Sequence, residues 1–556
     1  MLRSFHQALA AQSPAHPLAE EFARGLAQNP ERWSGLQAEY LKKAAALWTA
    51  MLAREAGKDY QPVMRPEPGD RRFAAAEWRD NPYFDYLKQS YLLNAGLLTE
   101  MVEAAEVDAR AKHRLRFFTR QYIDAMSPAN FAATNPDAIR AALETEGASI
   151  AAGVRNLAAD VEKGRISMTD ESAFEVGRNV AVSPGAVVFE NALIQLIQYA
   201  PATATVYSRP VLIVPPCINK FYILDLQPEN SLVRYMVEQG HSVFVVSWRN
   251  PGPELGHLSW DDYMRDGVMV AIDNTLAASE SAELNAVGWC VGGTILGSTL
   301  AVLRASGDRR IASLTLLTTM LDFAVPGDLG VFIDEDMVAA REQAIGNGGI
   351  MPGREMATVF SSLRANDLIW NYVVNNYLKG RQPEAFDLLY WNSDSTNLPG
   401  PMYCWYIRNT YLENNIIVPG KLTMCGTPCD LGKVDMPTYV FSTREDHIVP
   451  WRAAFGTTRV LSGELTFVVG ASGHIAGVIN PASKNRRSFW TGGETGSTPE
   501  HWLETATETP GSWWRHWAEW LAARGGDRVP AREPGANAAF RVIENAPGRY
   551  VRQRAD

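Results

Sequence analysis

Cysteine is scarce in this chain: five among 556 residues, at Cys217, Cys290, Cys404, Cys425 and Cys429. An odd, sparse set excludes a disulfide framework and fits a reducing compartment. Cys425 and Cys429 have a spacing that suggests half a metal site, but no second Cys or His pair follows closely, so no metal is expected. Basic excess is missing as well. Lys and Arg number 52 against 62 Asp and Glu, a formal net charge of −10. A broad nucleic-acid surface is thereby excluded, and an anionic substrate would need a local basic pocket. No stretch reaches the roughly 18 unbroken apolar residues of a membrane span, so no transmembrane segment is expected. Residues 1–12 lack the long apolar core and small-residue cleavage site of a signal peptide, which points to a cytoplasmic protein. Internal repeats and low-complexity tracts are also missing.

What is present is an ordinary globular composition, 46% hydrophobic and 21% charged, on a chain too long for one ordinary core. Residues 1–173 read as a mostly helical N-terminal domain, with apolar residues at helical spacing over 31–52, 83–107 and 114–126. A packing or dimerisation layer is its simplest role. A proline-rich linker, 62–70, separates the first two helices. From residue 174 the character changes. Residues 180–190 and 203–207 alternate like antiparallel strands. Strands at 211–214, 242–248, 284–289 and 314–318 then alternate with helices at 230–239, 260–278 and 294–303. That rhythm means an α/β domain with a parallel sheet. It breaks over about 321–436, an aromatic-rich stretch placed as a cap insertion over the active site. Strands resume at 438–442 and 465–469, and 502–523 reads as a Trp-rich helical stretch expected mainly to pack.

The chemistry centres on Gly288-Trp289-Cys290-Val291-Gly292, a strand-to-helix nucleophile elbow with cysteine in place of the usual serine. Small residues two before and two after are needed because side chains there would collide. The helix N-terminus favours thiolate. Taken alone, the pattern fits a buried structural cysteine equally well. Two further strand ends change that. Asp446 follows 438–442 and His474 follows 465–469, so nucleophile, acid and histidine come in the α/β-hydrolase order. His474 is assigned to take the thiol proton and Asp446 to orient the imidazole. Asp322, after the strand that follows the elbow, is a rival acid. His447 either bonds substrate or supports its loop. The first oxyanion donor is the N–H of Val291. The second comes from Pro215-Pro216-Cys217-Ile218-Asn219-Lys220. Prolines cannot donate, which leaves Cys217 or Ile218. A catalytic role for the Cys217 thiol is a weaker alternative.

Longer runs carry a family resemblance. They are Pro215 through Leu226, Val245-Val246-Ser247-Trp248-Arg249-Asn250-Pro251, Gly288 through Gly293, 444–451 and 473–481. Residues 372–376, 398–405 and Gly511-Ser512-Trp513-Trp514 fit too. Over nearly its whole length the chain resembles the class I polyhydroxyalkanoate synthases, although Trp289 stands where that family commonly has Phe. The resemblance implies an α/β-hydrolase catalytic domain, 174–556, behind the helical one. It implies an acyltransferase that polymerises (R)-3-hydroxyacyl-CoA, 3-hydroxybutyryl-CoA above all. Cys290 is then the nucleophile, His474 the base and Asp446 the acid. No cofactor is implied, because coenzyme A belongs to the substrate and leaves as product. The expected partners are the growing polyester, its granule surface and a second copy in a homodimer. Arg364 is either a contact for a CoA phosphate or a surface arginine. A thioesterase or polyester depolymerase on the same fold is the alternative, and a non-catalytic granule coat protein a second.

Overall fold

The computed structural model describes residues 15–56, 60–496 and 498–555. The expectation for residues 1–12 lies outside them. The chain divides into two units, Met1–Asp170 with Phe360–Ala385, and Glu171–Val359 with Phe386–Asp556.

In the first unit α1 (Ala15–Ala27), α2 (Pro30–Glu55), α3 (Pro82–Ala104), α4 (Ala109–Ala125), α5 (Pro136–Glu144) and α6 (Ala148–Lys163) follow one another. Three of them start with an Asn-Pro step. The side chains of Asn29, Asn81 and Asn135 accept amide protons of the first turn, and the proline fills a position that needs no donor. Asp108 caps α4, so that helix starts five residues before the apolar periodicity that marks it. Residues 360–385 pack here. Tyr377 donates to Asp160 (2.6 Å), Asn366 to Asp124 (2.6 Å) and Gln121 to the Ser362 carbonyl (2.8 Å). The stretch 321–436 is therefore shared between the two units.

The second unit is built on an eleven-stranded sheet. Its strands are β1 (Gly185–Glu190), β2 (Ile194–Tyr199), β3 (Val211–Val214), β4 (Val243–Trp248), β5 (Leu284–Trp289), β6 (Ile311–Leu317), β7 (Thr438–Thr443), β8 (Leu465–Gly470), β9 (Ser488–Thr491), β10 (Thr507–Pro510) and β11 (Glu544–Asn545). Their spatial order is β10-β9-β8-β7-β6-β5-β3-β4-β2-β1-β11. The six central strands, β4 to β8 in that order, are parallel and the outer ones antiparallel. Helices α7 (Leu232–Glu238), α8 (Val270–Ser279), α9 (Val291–Ala305), α10 (His474–Val478) and α11 (Trp514–Ala522) accompany the sheet. β3, β4 and β5 are buried along their whole length, which is why they read as unbroken apolar runs. The chain goes from β3 outward to β4 and then returns to β5 on the other side. This switch opens a crevice beyond the carboxyl ends of β3 and β5.

Three expectations need correction. The strand expected over 180–190 starts only at Gly185, just after Pro184, which has no N–H to give a ladder. The helix expected over 260–278 passes through a π-helical turn, Tyr263–Met269. The Trp-rich stretch is not one helix: Pro499–Thr505 and α11 are separated by β10, which ends at Pro510-Gly511. Its tryptophans do pack. Trp502, Trp513, Trp514 and Trp517 are each at most 1% exposed. Trp513 stacks on Phe441 of β7 at 3.9 Å and gives its N–H to the Gly477 carbonyl of α10 (3.1 Å). Trp514 donates to the Val478 carbonyl (2.8 Å) and Trp517 to Thr315 of β6 (3.0 Å). Replacing Trp513 by Ala is expected to destabilise the protein by about 3–5 kcal/mol, read as a fall in thermal midpoint.

Candidate active site

β5 ends at Trp289 and α9 begins at Val291, so Cys290 alone turns the chain. It does so at φ +51° and ψ −128°, a conformation that costs a non-glycine residue about 1–3 kcal/mol. Neighbouring bonds hold it there. Its N–H donates to Leu317 of β6 (3.0 Å), and its carbonyl accepts from Gly293 (2.9 Å) and Thr294 (3.2 Å). The glycines are a matter of space. A Cβ on Gly292 would lie 2.4 Å from the Pro215 carbonyl oxygen, and one on Gly288 would lie 2.5 Å from Gly293 Cα. Trp289 points away into the core with Leu317, Phe441 and Trp513, 1% exposed.

β8 delivers His474 as the first residue of α10, after a loop in which Ser472 has φ +81°. Its Nδ1 lies 2.6 Å from Asp446 Oδ2. The other carboxylate oxygen, Oδ1, accepts from the backbone N–H groups of Ile448 and Val449, both at 2.8 Å. The carboxylate is thus fixed from behind and aimed at the imidazole. Burial pushes the His474 pKa down. The Asp446 charge and hydrogen bond, with contact and charge from Cys290, outweigh it and lift the pKa to about 10. With Nδ1 engaged, Nε2 is the nitrogen left for the sulfur. The structure thus brings Cys290, His474 and Asp446 together. Asp322 is engaged elsewhere, accepting from the Ala324 N–H (2.9 Å) and Asn414 (2.8 Å).

The loop 215–220 lies against the elbow. Cys217 is 1% exposed, and burial pushes its thiol pKa up, with the nearby Cys290 charge adding to the shift. A buried, protonated thiol leaves this residue its backbone to offer. The N–H groups of Val291 and Ile218 donate to no protein group among the described residues, and the Cys217 N–H meets only its own sulfur. His447 is half-buried in the turn next to Asp446. Arg364 belongs to the first unit, where it pairs with Asp367 at 2.6 Å.

The stretch 321–436 was expected as an aromatic cap that excludes water; what sequence reading missed is which of its rings meet, and that Trp260 joins them. Trp260 stacks on Trp405 (4.6 Å) and Tyr406 (5.5 Å), while Phe323 meets Tyr411 edge-on (4.9 Å). The Cys290 charge reaches the phenols of both Tyr406 and Tyr411. The signal for those contacts is the aromatic density of 403–411 within that cap.

Fold and site together define an enzyme of α/β-hydrolase fold. Residues 210–481 match the family model described as alpha/beta hydrolase fold. Residues 69–236 match the N-terminal model of poly-beta-hydroxybutyrate polymerase (PhaC). The chain is 54% identical to the poly(3-hydroxyalkanoate) polymerase subunit PhaC of Cupriavidus necator over 531 residues, 95% of this chain and 89% of that one. It is 47% identical to the poly(3-hydroxyalkanoate) polymerase of Methylorubrum extorquens over 534 residues, 95% and 88% of the two chains. The chain belongs to the poly(3-hydroxyalkanoate) polymerase family, and is an acyltransferase.

The raised His474 pKa has a consequence for stability. A folded value near 10, above the ordinary 6.5, gives stability that is complete below about pH 6.5 and is lost as pH climbs toward 10. Asp446→Asn removes the main cause. The difference in thermal midpoint between wild type and Asp446→Asn is therefore expected to shrink steadily from pH 7 to pH 10. A constant difference over that range would contradict the assigned pairing.

Proposed function

We propose that this enzyme polymerises (R)-3-hydroxyacyl-CoA, with 3-hydroxybutyryl-CoA as the main substrate, through a thioester on Cys290. The observation that carries the reading is a cysteine at a strained elbow beside a paired His474 and Asp446, in a chain 54% identical to a polyester polymerase subunit. The Cys290 proton passes to His474, and the sulfur attacks the CoA thioester carbonyl. Negative charge on the carbonyl oxygen is met by the N–H of Val291 and by that of Cys217 or Ile218. CoA leaves as its thiol with the proton from His474. The 3-hydroxyl of a further unit or of the growing chain then attacks the acyl-cysteine. Its proton goes to His474 or Asp446, an ester forms and the thiolate returns.

Exchange of one thioester for another keeps the acyl group activated for this second attack. Phe323, Trp260, Tyr406 and Tyr411 keep water from the intermediate. No group beyond the coenzyme A of the substrate is assigned to the chemistry. The same proposal includes homodimerisation and residence on cytoplasmic polyester granules. An exposed apolar row on α6, formed by Ile150, Val154, Leu157 and Val161, is in keeping with an apolar partner surface. Among the described residues no helix is long and apolar enough to cross a membrane.

The test is to incubate purified protein with (R)-3-hydroxybutyryl-CoA, follow CoA release and recover the acyl product, with Cys290→Ala in parallel. Released CoA with insoluble polyester is expected, and a drop in turnover on the order of 10³-fold or more in the variant. Release of free 3-hydroxybutyrate alone would make the enzyme a thioesterase.

A further inference from the structure

Thr318 and Thr319 follow β6 directly, and no step of the proposed reaction uses them. Thr318 has φ +39°, a conformation that β-branched residues rarely adopt. Its N–H donates to the Phe441 carbonyl of β7 at 2.7 Å. Its hydroxyl is buried and has no partner among the described residues. No hydrogen bond of its side chain therefore offsets the strain. What the bend achieves is the placing of the next residue.

Thr319 is buried against the start of α9. Its hydroxyl donates to the Leu317 carbonyl at 3.0 Å and to the Cys290 carbonyl at 3.3 Å, one proton shared between two acceptors. Gly293 makes the room. A Cβ there would lie 2.2 Å from Thr319 Oγ1 and 2.7 Å from its Cγ2. The turn at Cys290 itself needs Gly288 and Gly292, and Thr319 accounts for the glycine after them. Met320 extends the clamp, its carbonyl accepting from the Thr294 hydroxyl of α9 at 2.9 Å.

The Cys290 carbonyl and the Val291 N–H belong to one peptide unit. That unit is planar and trans, so its C=O and N–H point in opposite directions. Holding the oxygen fixes the aim of the N–H on the far side. The oxygen also accepts from the N–H groups of Gly293 (2.9 Å) and Thr294 (3.2 Å), both within α9. Thr319 grips it from outside that helix. A hydrogen bond to the carbonyl further polarises the peptide and makes its N–H a better donor.

This inference rests on the acyl-cysteine and oxyanion reading above. We propose that Thr319 is a positioning residue for acylation: its hydroxyl holds the Cys290–Val291 peptide so that the Val291 N–H meets the thioester oxygen as charge builds there. The strained backbone of Thr318 carries the hydroxyl to that place, and Gly293 admits it.

The experiment separates two reactions of the same sulfur. Acylation by (R)-3-hydroxybutyryl-CoA, followed as the first burst of CoA, builds negative charge on an oxygen. Alkylation by iodoacetamide, read at Cys290 by mass spectrometry, forms a C–S bond at a saturated carbon and expels iodide, so no oxyanion arises. Thr319→Val keeps the shape and removes the hydroxyl. Its burst rate is expected to fall about tenfold, the order of one net hydrogen bond. Alkylation at the same pH should stay within about twofold of wild type. Thr319→Ser should recover most of the burst. If Thr319→Val folds poorly, Gly293→Ala is expected to give the same split by pushing the hydroxyl off the elbow. An unchanged burst in a folded variant would overturn the inference, as would equal losses in both reactions or a Thr319→Ser variant no faster than Thr319→Val. A wild-type protein that forms no acyl-cysteine would overturn the acyl-cysteine reading, and this inference with it.

Discussion

The site depends on one strained residue. Cys290 can hold φ +51° only because β5, β6 and α9 fix its backbone on both sides and because three glycines let the segments close up. A strain of about 1–3 kcal/mol is small beside the burial of β5 and of the first twelve residues of α9. The geometry follows from this inequality. The core is strong enough to impose the turn, and the turn aims the sulfur out of the core at the end of the sheet. The dipole of a fifteen-residue helix then faces the sulfur without any further device.

The histidine is held from a different part of the chain. Trp513 and Trp514 hand their N–H groups to carbonyls of the short α10, and Gly477 lets that helix settle against Thr443. The end of α10 and the orientation of the imidazole are therefore set by a helix some forty residues further on. Trp289 behaves differently. Its ring is buried among the same aromatics, yet its Nε1 has no partner among the described residues. An unpaired buried N–H costs about 1–3 kcal/mol. Where the resembled family commonly carries Phe, this chain tolerates that cost on the core side of the elbow.

Central strands were legible because burial on both faces writes them as apolar runs: 211–214 and 284–289 fall on β3 and β5 residue for residue. Edge strands were not. β10 and β11 are short and largely polar, and only their neighbours make them strands. The three site residues showed in their order after strand ends, which is a property of sequence. Asp446 was preferred to Asp322 from the sequence because it follows the penultimate strand, and the imidazole does meet Asp446. Tyr411 was illegible. Its place depends on a π-helical turn and on Asn414 reaching back 92 residues to Asp322, and periodicity carries neither.

Polymerisation and hydrolysis differ only in which hydroxyl reaches the acyl-cysteine, so the fold cannot decide between them. The decision lies in what surrounds the intermediate. In the proposed reaction a thioester at Cys290 would keep nearly the reactivity of the CoA thioester it replaces, whereas an ester on serine would spend much of it before the second attack. Retained reactivity also makes the intermediate vulnerable to water. Aromatic rings in contact at 4.6 to 5.5 Å would answer that hazard, because ring faces offer water few partners. A wall of this kind also removes most ways of recognising a polar substrate.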